Sequence, residues 1–286
     1  MPRIATHFWD RIIEFTQSAT SASQPITHLD EHQPEKIIAT YLTNRMPTQS
    51  TLRKITLLLS EHKQTGLYVL VYSALFLLIF RLGYAPFFES GKSFIRNIDG
   101  FTQHYPAMVY LGEYYRGIIS SLVSGNLEIP LFNFNTAFGE NIIAMLSLFY
   151  GFGDPLVFLS TFFTVTQTET LYNFLAIFRL YLAGLTFSWF CFHFQQGRIA
   201  TLIGSLTYAF CGYGLSVAIA HPSHIIPMVV LPVMLLGLDK SITQKKPMLF
   251  IIAVALTAIS TSYFFYVTSI FLPFFIILRF FSLQID

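Results

Sequence analysis

Charge is what this chain has least of. Only 11% of its 286 residues are Asp, Glu, Lys or Arg, against roughly 25% in an ordinary globular domain. So few charges cannot cover a water-facing surface, which excludes a soluble enzyme and a disordered linker alike. The formal net charge of +2 is too small to point to a nucleic-acid partner. Cysteine is almost missing as well: Cys191 and Cys211 sit in apolar runs without a CxxC spacing, so neither a redox pair nor a disulfide framework is indicated. No early apolar stretch follows the N-terminus, so a cleaved signal peptide is not indicated. Nucleophile elbow, zinc motif and dinucleotide fingerprint are all lacking. Gly91-Lys92-Ser93 echoes the end of a phosphate-binding loop, but Pro86 stands where its first Gly is required.

Apolar residues make up 53% of the chain, 31 of its residues are Phe, and mean hydropathy is +0.57. This composition predicts an all-α integral membrane protein. Residues 1–66 differ, being polar and mixed in charge. They read as a cytoplasmic N-terminal extension with two weakly amphipathic helices, 8–15 and 35 to about 59, interrupted near Pro47. Residues 67–286 form the polytopic domain. Its first span is 67–84, and Arg53, Lys54 and Lys63 before it place the N-terminus in the cytoplasm.

The segment from about 85 to 170 decides the architecture. Its apolar run 142–163 is interrupted by Gly151-Phe152-Gly153-Asp154-Pro155, which puts helix breakers and a carboxylate at its centre. Each half is too short to span, so the run predicts interfacial or re-entrant pieces. Charge placement agrees. If 142–163 spanned, the loops with Arg198, Lys240, Lys245 and Lys246 would face outward, against the positive-inside bias. If it does not, those loops face inward and one large outer loop collects Glu89, Asp99, Glu113, Glu128, Glu140, Asp154 and Glu169. Spans follow at 171–192, 199–220 and 225–238. The stretch 248–281 would be about 51 Å long as a single helix, so it predicts two spans turning near Ser260-Thr261-Ser262-Tyr263. About six transmembrane helices result.

The outer loop opens with Arg96-Asn97-Ile98-Asp99-Gly100-Phe101-Thr102-Gln103-His104-Tyr105-Pro106. An amphipathic helix from about 103 to 123 follows, suited to lying in the interface. Then come Gly125 to Asn133 with Pro130 and Phe132, and Ala137 to Glu140. Together with Asp154-Pro155-Leu156, Arg179 and Ala183-Gly184, Tyr208 to Gly212, Pro232 with Leu235 to Leu238, and Tyr263 to Tyr266, these motifs resemble the YfhO-type bacterial membrane proteins over residues 67–281.

That resemblance implies a GT-C-like helical bundle whose large first extracytoplasmic loop carries interfacial helices. It also implies a bacterial plasma-membrane enzyme taking a sugar from a polyprenyl-phosphate carrier to an envelope polymer such as teichoic acid. Its partners would be the lipid-linked donor, the polymer acceptor and membrane lipids. Asp99, with Gln103 and Tyr105 beside it, matches the position of the family's catalytic acid. Family members usually have more than twice as many spans, so the resemblance implies that the chain corresponds to an N-terminal portion.

The residue types fit that chemistry on their own terms. Inverting glycosyl transfer needs one carboxylate to deprotonate the acceptor hydroxyl, and Asp99 is the candidate. The leaving phosphate calls for cations: Arg116, Arg179, and His221 or His224. Plainer roles compete with each of these. Asp99 and His104 can act as helix-start residues, and Arg179 can pair with Asp154 or Glu169. The i, i+3 histidines, with no third ligand nearby, do not indicate a divalent metal, and no cofactor is implied. The competing functions are a transporter or flippase of envelope precursors and a truncated inactive fragment.

Overall fold

The computed structural model describes residues 49–95, 99–134, 139–218 and 220–285. The helix expected at 8–15 and the interruption near Pro47 lie outside them. The chain divides into two units, Met1–Val71 and Tyr72–Asp286. In the first, every described residue is helical and belongs to α1 (Gln49–Glu89).

The second unit continues from Tyr72. A π-turn at Gly100–His104 leads into α2 (Tyr105–Val123). A minimal antiparallel hairpin pairs β1 (Phe132–Asn133) with β2 (Glu140–Asn141), Phe132 opposite Asn141. Next is α3 (Ile142–Phe149), capped by the Asn141 side chain, which accepts from the Ala144 amide at 2.9 Å. Short 3₁₀ turns, Val157–Phe162 and Val165–Gln167, connect it to α4 (Thr168–His193). Then follow α5 (Arg198–Ala209), a π-turn at Tyr213–Ala218, a 3₁₀ turn at Pro222–Ile225, and α6 (Ile226–Gln244). Finally come α7 (Met248–Ser260) and α8 (Ser262–Ile285). The architecture is all-α, as composition predicted.

Run 142–163 does not span. α3 ends after eight residues, and Gly151 then adopts φ 76°, which favours glycine. Gly153 follows, its amide donating to the Ile259 carbonyl at 3.0 Å. A Cβ there would lie 2.5 Å from that oxygen, so no other residue fits the approach. The break is therefore a tight turn against the end of α7.

Five helical stretches are long and apolar enough to cross a membrane: Gln64–Glu89, Val165–His193, Arg198–Ser216, Pro222–Gln244 and Ser262–Leu283. The expected split of 248–281 occurs at Thr261, whose backbone is extended (φ −159°, ψ 103°). It leaves α7 apolar but shorter, with 13 residues, or about 20 Å of helix. The stretch expected as one span at 199–220 is helical to Ala209 and resumes as the π-turn beyond Cys211-Gly212.

Side-chain contacts order these helices. The first residues of α4 meet the residues just before α6 through Tyr172, whose hydroxyl donates to the Ala220 carbonyl at 3.2 Å. The last residue of α4, His193, meets Asp239 near the end of α6 at 2.5 Å. α4 and α6 thus run parallel, and α5 returns between them in sequence. Arg279 of α8 reaches Asp239 too, while the start of α8 lies by α3 through Ser262 and the Ser147 carbonyl, 3.3 Å apart. Loops 194–197 and 245–247 consequently share one end, and the described residues of 99–163 belong to the other. In an 18-residue apolar window of the Pro222–Gln244 span 67% of residues are buried, against 11% in that of Ser262–Leu283, so α6 is central and α8 peripheral. Gly237 lets α6 approach α7 closely, a Cβ there falling 2.6 Å from the Phe250 backbone. Leu111 and Tyr114 of α2 pack with Ile142, Leu146 and Val157, so α2 sits directly on the broken segment.

Candidate active site

Asp99 stands at the head of the first π-turn and is exposed. Its side chain makes no capping bond. One carboxylate oxygen instead accepts from Gln103 Nε2 at 3.0 Å. The amide oxygen of Gln103 in turn accepts from the Tyr150 hydroxyl at 3.0 Å. With its oxygen held by Tyr150, the Gln103 amide is left with its NH2 toward Asp99. Tyr150 comes from the residue just before the Gly151 turn, so the re-entrant element and the π-turn meet at this carboxylate.

The π-turn is wider than an α-turn, with the Tyr105 amide reaching back to the Gly100 carbonyl, a feature frequent at functional sites. Gly100 is buried, and a Cβ there would lie 3.7 Å from the Ala220 carbonyl. That contact sets 99–104 beside 220–224. In consequence three imidazoles gather: His104 lies 4.6 Å from His221 and 5.5 Å from His224, which are themselves 5.0 Å apart, measured between ring centroids. Tyr150 packs on His104 at 5.3 Å and Phe264 on His224 at 5.0 Å. The Tyr213 hydroxyl donates to the His224 carbonyl at 3.0 Å, tying the second π-turn to the same place.

Burial, reinforced by the neighbouring His221 and His224, pushes the His104 imidazole down to about 3. It is therefore neutral at pH 7. Burial also raises the Tyr150 phenol, with the Asp99 and Glu140 carboxylates adding to the effect. Among the described residues no group of three His, Cys, Asp or Glu side chains is arranged to hold a metal ion.

The other sequence candidates are elsewhere. Tyr105 donates to the Val165 carbonyl at 3.3 Å, and its ring faces Tyr172 at 6.2 Å. Arg116 is engaged by three backbone carbonyls, those of Ser160, Thr161 and Phe163, at 3.2, 3.2 and 2.8 Å, and so finishes the 3₁₀ turn of the broken segment. Arg179 pairs with Asp154, both buried; Asp154 also accepts from the Leu156 amide at 2.9 Å. Neither arginine faces Asp99. Of the expected site residues, the fold brings together Asp99, Gln103, His221 and His224.

Two members of this cluster escape sequence reading. His104 is expected there as a helix-start residue, yet its side chain makes no capping bond and its ring joins the other two imidazoles. Tyr150 carries a single signal, its position immediately before the Gly151 break. A second group, Asp239 with His193 and Arg279, is also new. It lies at the opposite end of α4 and α6 and ties α4, α6 and α8 together.

No curated protein and no solved structure matches the chain. The family of bacterial membrane protein YfhO matches residues 69–286. That match covers the Asp99 turn, the broken segment, the histidine turn and every helix from α2 to α8, so the chain belongs to the YfhO family of bacterial membrane proteins.

Proposed function

We propose that this membrane protein is a GT-C-type glycosyltransferase that moves a sugar from a polyprenyl-phosphate donor to an extracytoplasmic envelope polymer such as teichoic acid. The observation that carries the reading is Asp99, an exposed carboxylate whose hydrogen-bond partner is a neutral amide, set beside three imidazoles. Asp99 takes the proton from the acceptor hydroxyl. The freed oxygen attacks the anomeric carbon, and the bond from that carbon to the phosphate oxygen breaks with its electrons leaving on the phosphate, which inverts the centre. Gln103 and Tyr150 aim the carboxylate. His221 and His224 replace Arg116 and Arg179 as the phosphate-side groups, because both arginines are already engaged.

Orientation belongs to the same proposal. Arg198, Lys245 and Lys246 lie at the Asp239 end, which the positive-inside bias assigns to the cytoplasm, with the N-terminus on that side. Asp99 then faces outward, where the envelope polymer is. Single cysteines settle the sides: one at Asn126 should react with an impermeant thiol reagent in intact cells, and one at Gln244 only after permeabilisation. For the chemistry, Asp99→Asn at normal expression should remove the polymer's sugar decoration. Unchanged decoration would sink the role of Asp99.

A further inference from the structure

We propose that His104, His221 and His224 form one anion site for the phosphate group, and that binding the phosphate draws a proton from water into the trio. As to which phosphate is bound in the cell, this rests on the donor class proposed above.

The argument starts from geometry. Three rings between 4.6 and 5.5 Å apart cannot all be charged without strong mutual repulsion. Burial opposes charge further, which is why His104 stays neutral down to about 3. A phosphate reverses both conditions at once. Its negative charge within a few ångströms favours imidazolium, and imidazolium N–H groups are strong donors to phosphate oxygens.

The other groups facing the trio leave this balance intact. From the first π-turn, Asp99 is the titratable neighbour, within electrostatic reach of both Tyr150 and His224. From the re-entrant side come the Tyr150 phenol on His104 and, acting on Tyr150, Glu140. Tyr213 donates to the His224 carbonyl, and α8 offers the ring of Phe264 backed by Tyr263. Arg116 and Arg179 are held by carbonyls and by Asp154. Among the described residues, protonatable imidazoles are therefore the means by which this cluster meets a phosphate's charge. By linkage, proton uptake by the imidazoles tightens phosphate binding as pH falls through the imidazole range, while a site built on arginine would weaken over the same range as the phosphate loses its own second charge near about pH 6.

The test uses the full chain in phosphatidylcholine nanodiscs, with inorganic phosphate and undecaprenyl phosphate as separate probes. Either probe should bind more tightly at pH 6 than at pH 8. Histidine carbon resonances in ¹³C-labelled protein should take on imidazolium character as the probe is added. His104→Gln and His224→Gln should each weaken binding by roughly tenfold to a hundredfold, the worth of a charge-assisted hydrogen bond, and lose the pH dependence. Two variants guard against one that does not fold. Binding of undecaprenyl phosphate alone assigns the site to a lipid headgroup, and binding of both probes assigns it to the phosphate group itself. Binding of neither, or affinity unchanged in both variants, overturns the proposal, as does phosphate binding without imidazole protonation. Asp99→Asn separates the two readings: it should transfer no sugar, while its phosphate binding still tightens from pH 8 to pH 6. If it still transfers sugar, the role of Asp99 fails while the histidine site stands on its own variants.

Discussion

At the two ends of α4 and α6 the same residue types, a carboxylate with histidine nearby, are put to opposite uses. Asp239 is buried, and both of its oxygens are taken, one by His193 and one by Arg279, each at 2.5 Å. Lys240 beside it lies over the Trp189 ring and Arg279 over Phe194. The charge is matched on the spot, and the group serves to hold three helices together. Asp154 with Arg179 follows the same pattern within the broken segment. Asp99 differs on every count, being exposed and bonded only to Gln103 among its described contacts, with neutral His104 nearby. A carboxylate already satisfied by cations has little left to offer a substrate. One held in place by a neutral amide keeps an open side.

Four measurements sharpen or break this contrast. The largest effect belongs to Asp99→Asn, which should cut sugar transfer by about 10²–10⁴ while leaving the thermal unfolding midpoint in detergent nearly unchanged. Asp239→Ala should do the reverse. It strands Arg279 and His193, a loss of roughly 3–5 kcal/mol for a broken buried pair, while the transfer rate per folded molecule stays near wild type. Equal stability losses for the two substitutions would erase the distinction drawn here.

The third effect depends on pH. His104 is depressed to about 3 from its ordinary 6.5, so between these values the unfolded chain binds more protons than the folded one. Stability of the phosphate-free protein should therefore be full above pH 6.5 and fall as pH drops toward 3, by up to about 1.4 kcal/mol per unit. His104→Phe should flatten that slope in acid denaturation series. The smallest effect is Tyr150→Phe. Losing the hydroxyl that orients Gln103 should slow transfer several-fold, about 0.5–1.5 kcal/mol, in the turnover number rather than in KM for the donor. A change confined to KM would make Tyr150 a binding residue instead.

Much of the fold was legible because membrane constraints act on local composition. The break at Gly151 to Pro155 follows from residues that cannot continue a helix in place, and the turn at Thr261 from a run too long to be one span. The α5 span reads as continuous because its run stays apolar, although Gly212 and Gly214 follow closely on Ala209, where the α-helix stops. Asp99 was legible from its place after the first span. Its partners were less so, since Tyr150 lies 47 residues from Gln103 and the histidines come from two distant turns. The arginines mislead sequence reading in an instructive way. Arg116 looks like a free cation on an interfacial helix, yet a turn that ends without helical partners supplies three carbonyls for it.

Scarcity of charge determined from the sequence alone that the chain is a helical membrane protein, which segments can span, and that 142–163 cannot. These follow from chain-local physics: apolar length, helix breakers, and the cost of a bare charge in lipid. Which of the few charges are matched and which are left open was decided only by tertiary structure. Pairing depends on what the fold brings within a hydrogen bond across tens or hundreds of residues. Asp154, Asp239 and Asp99 are alike as letters, and only their surroundings set them apart.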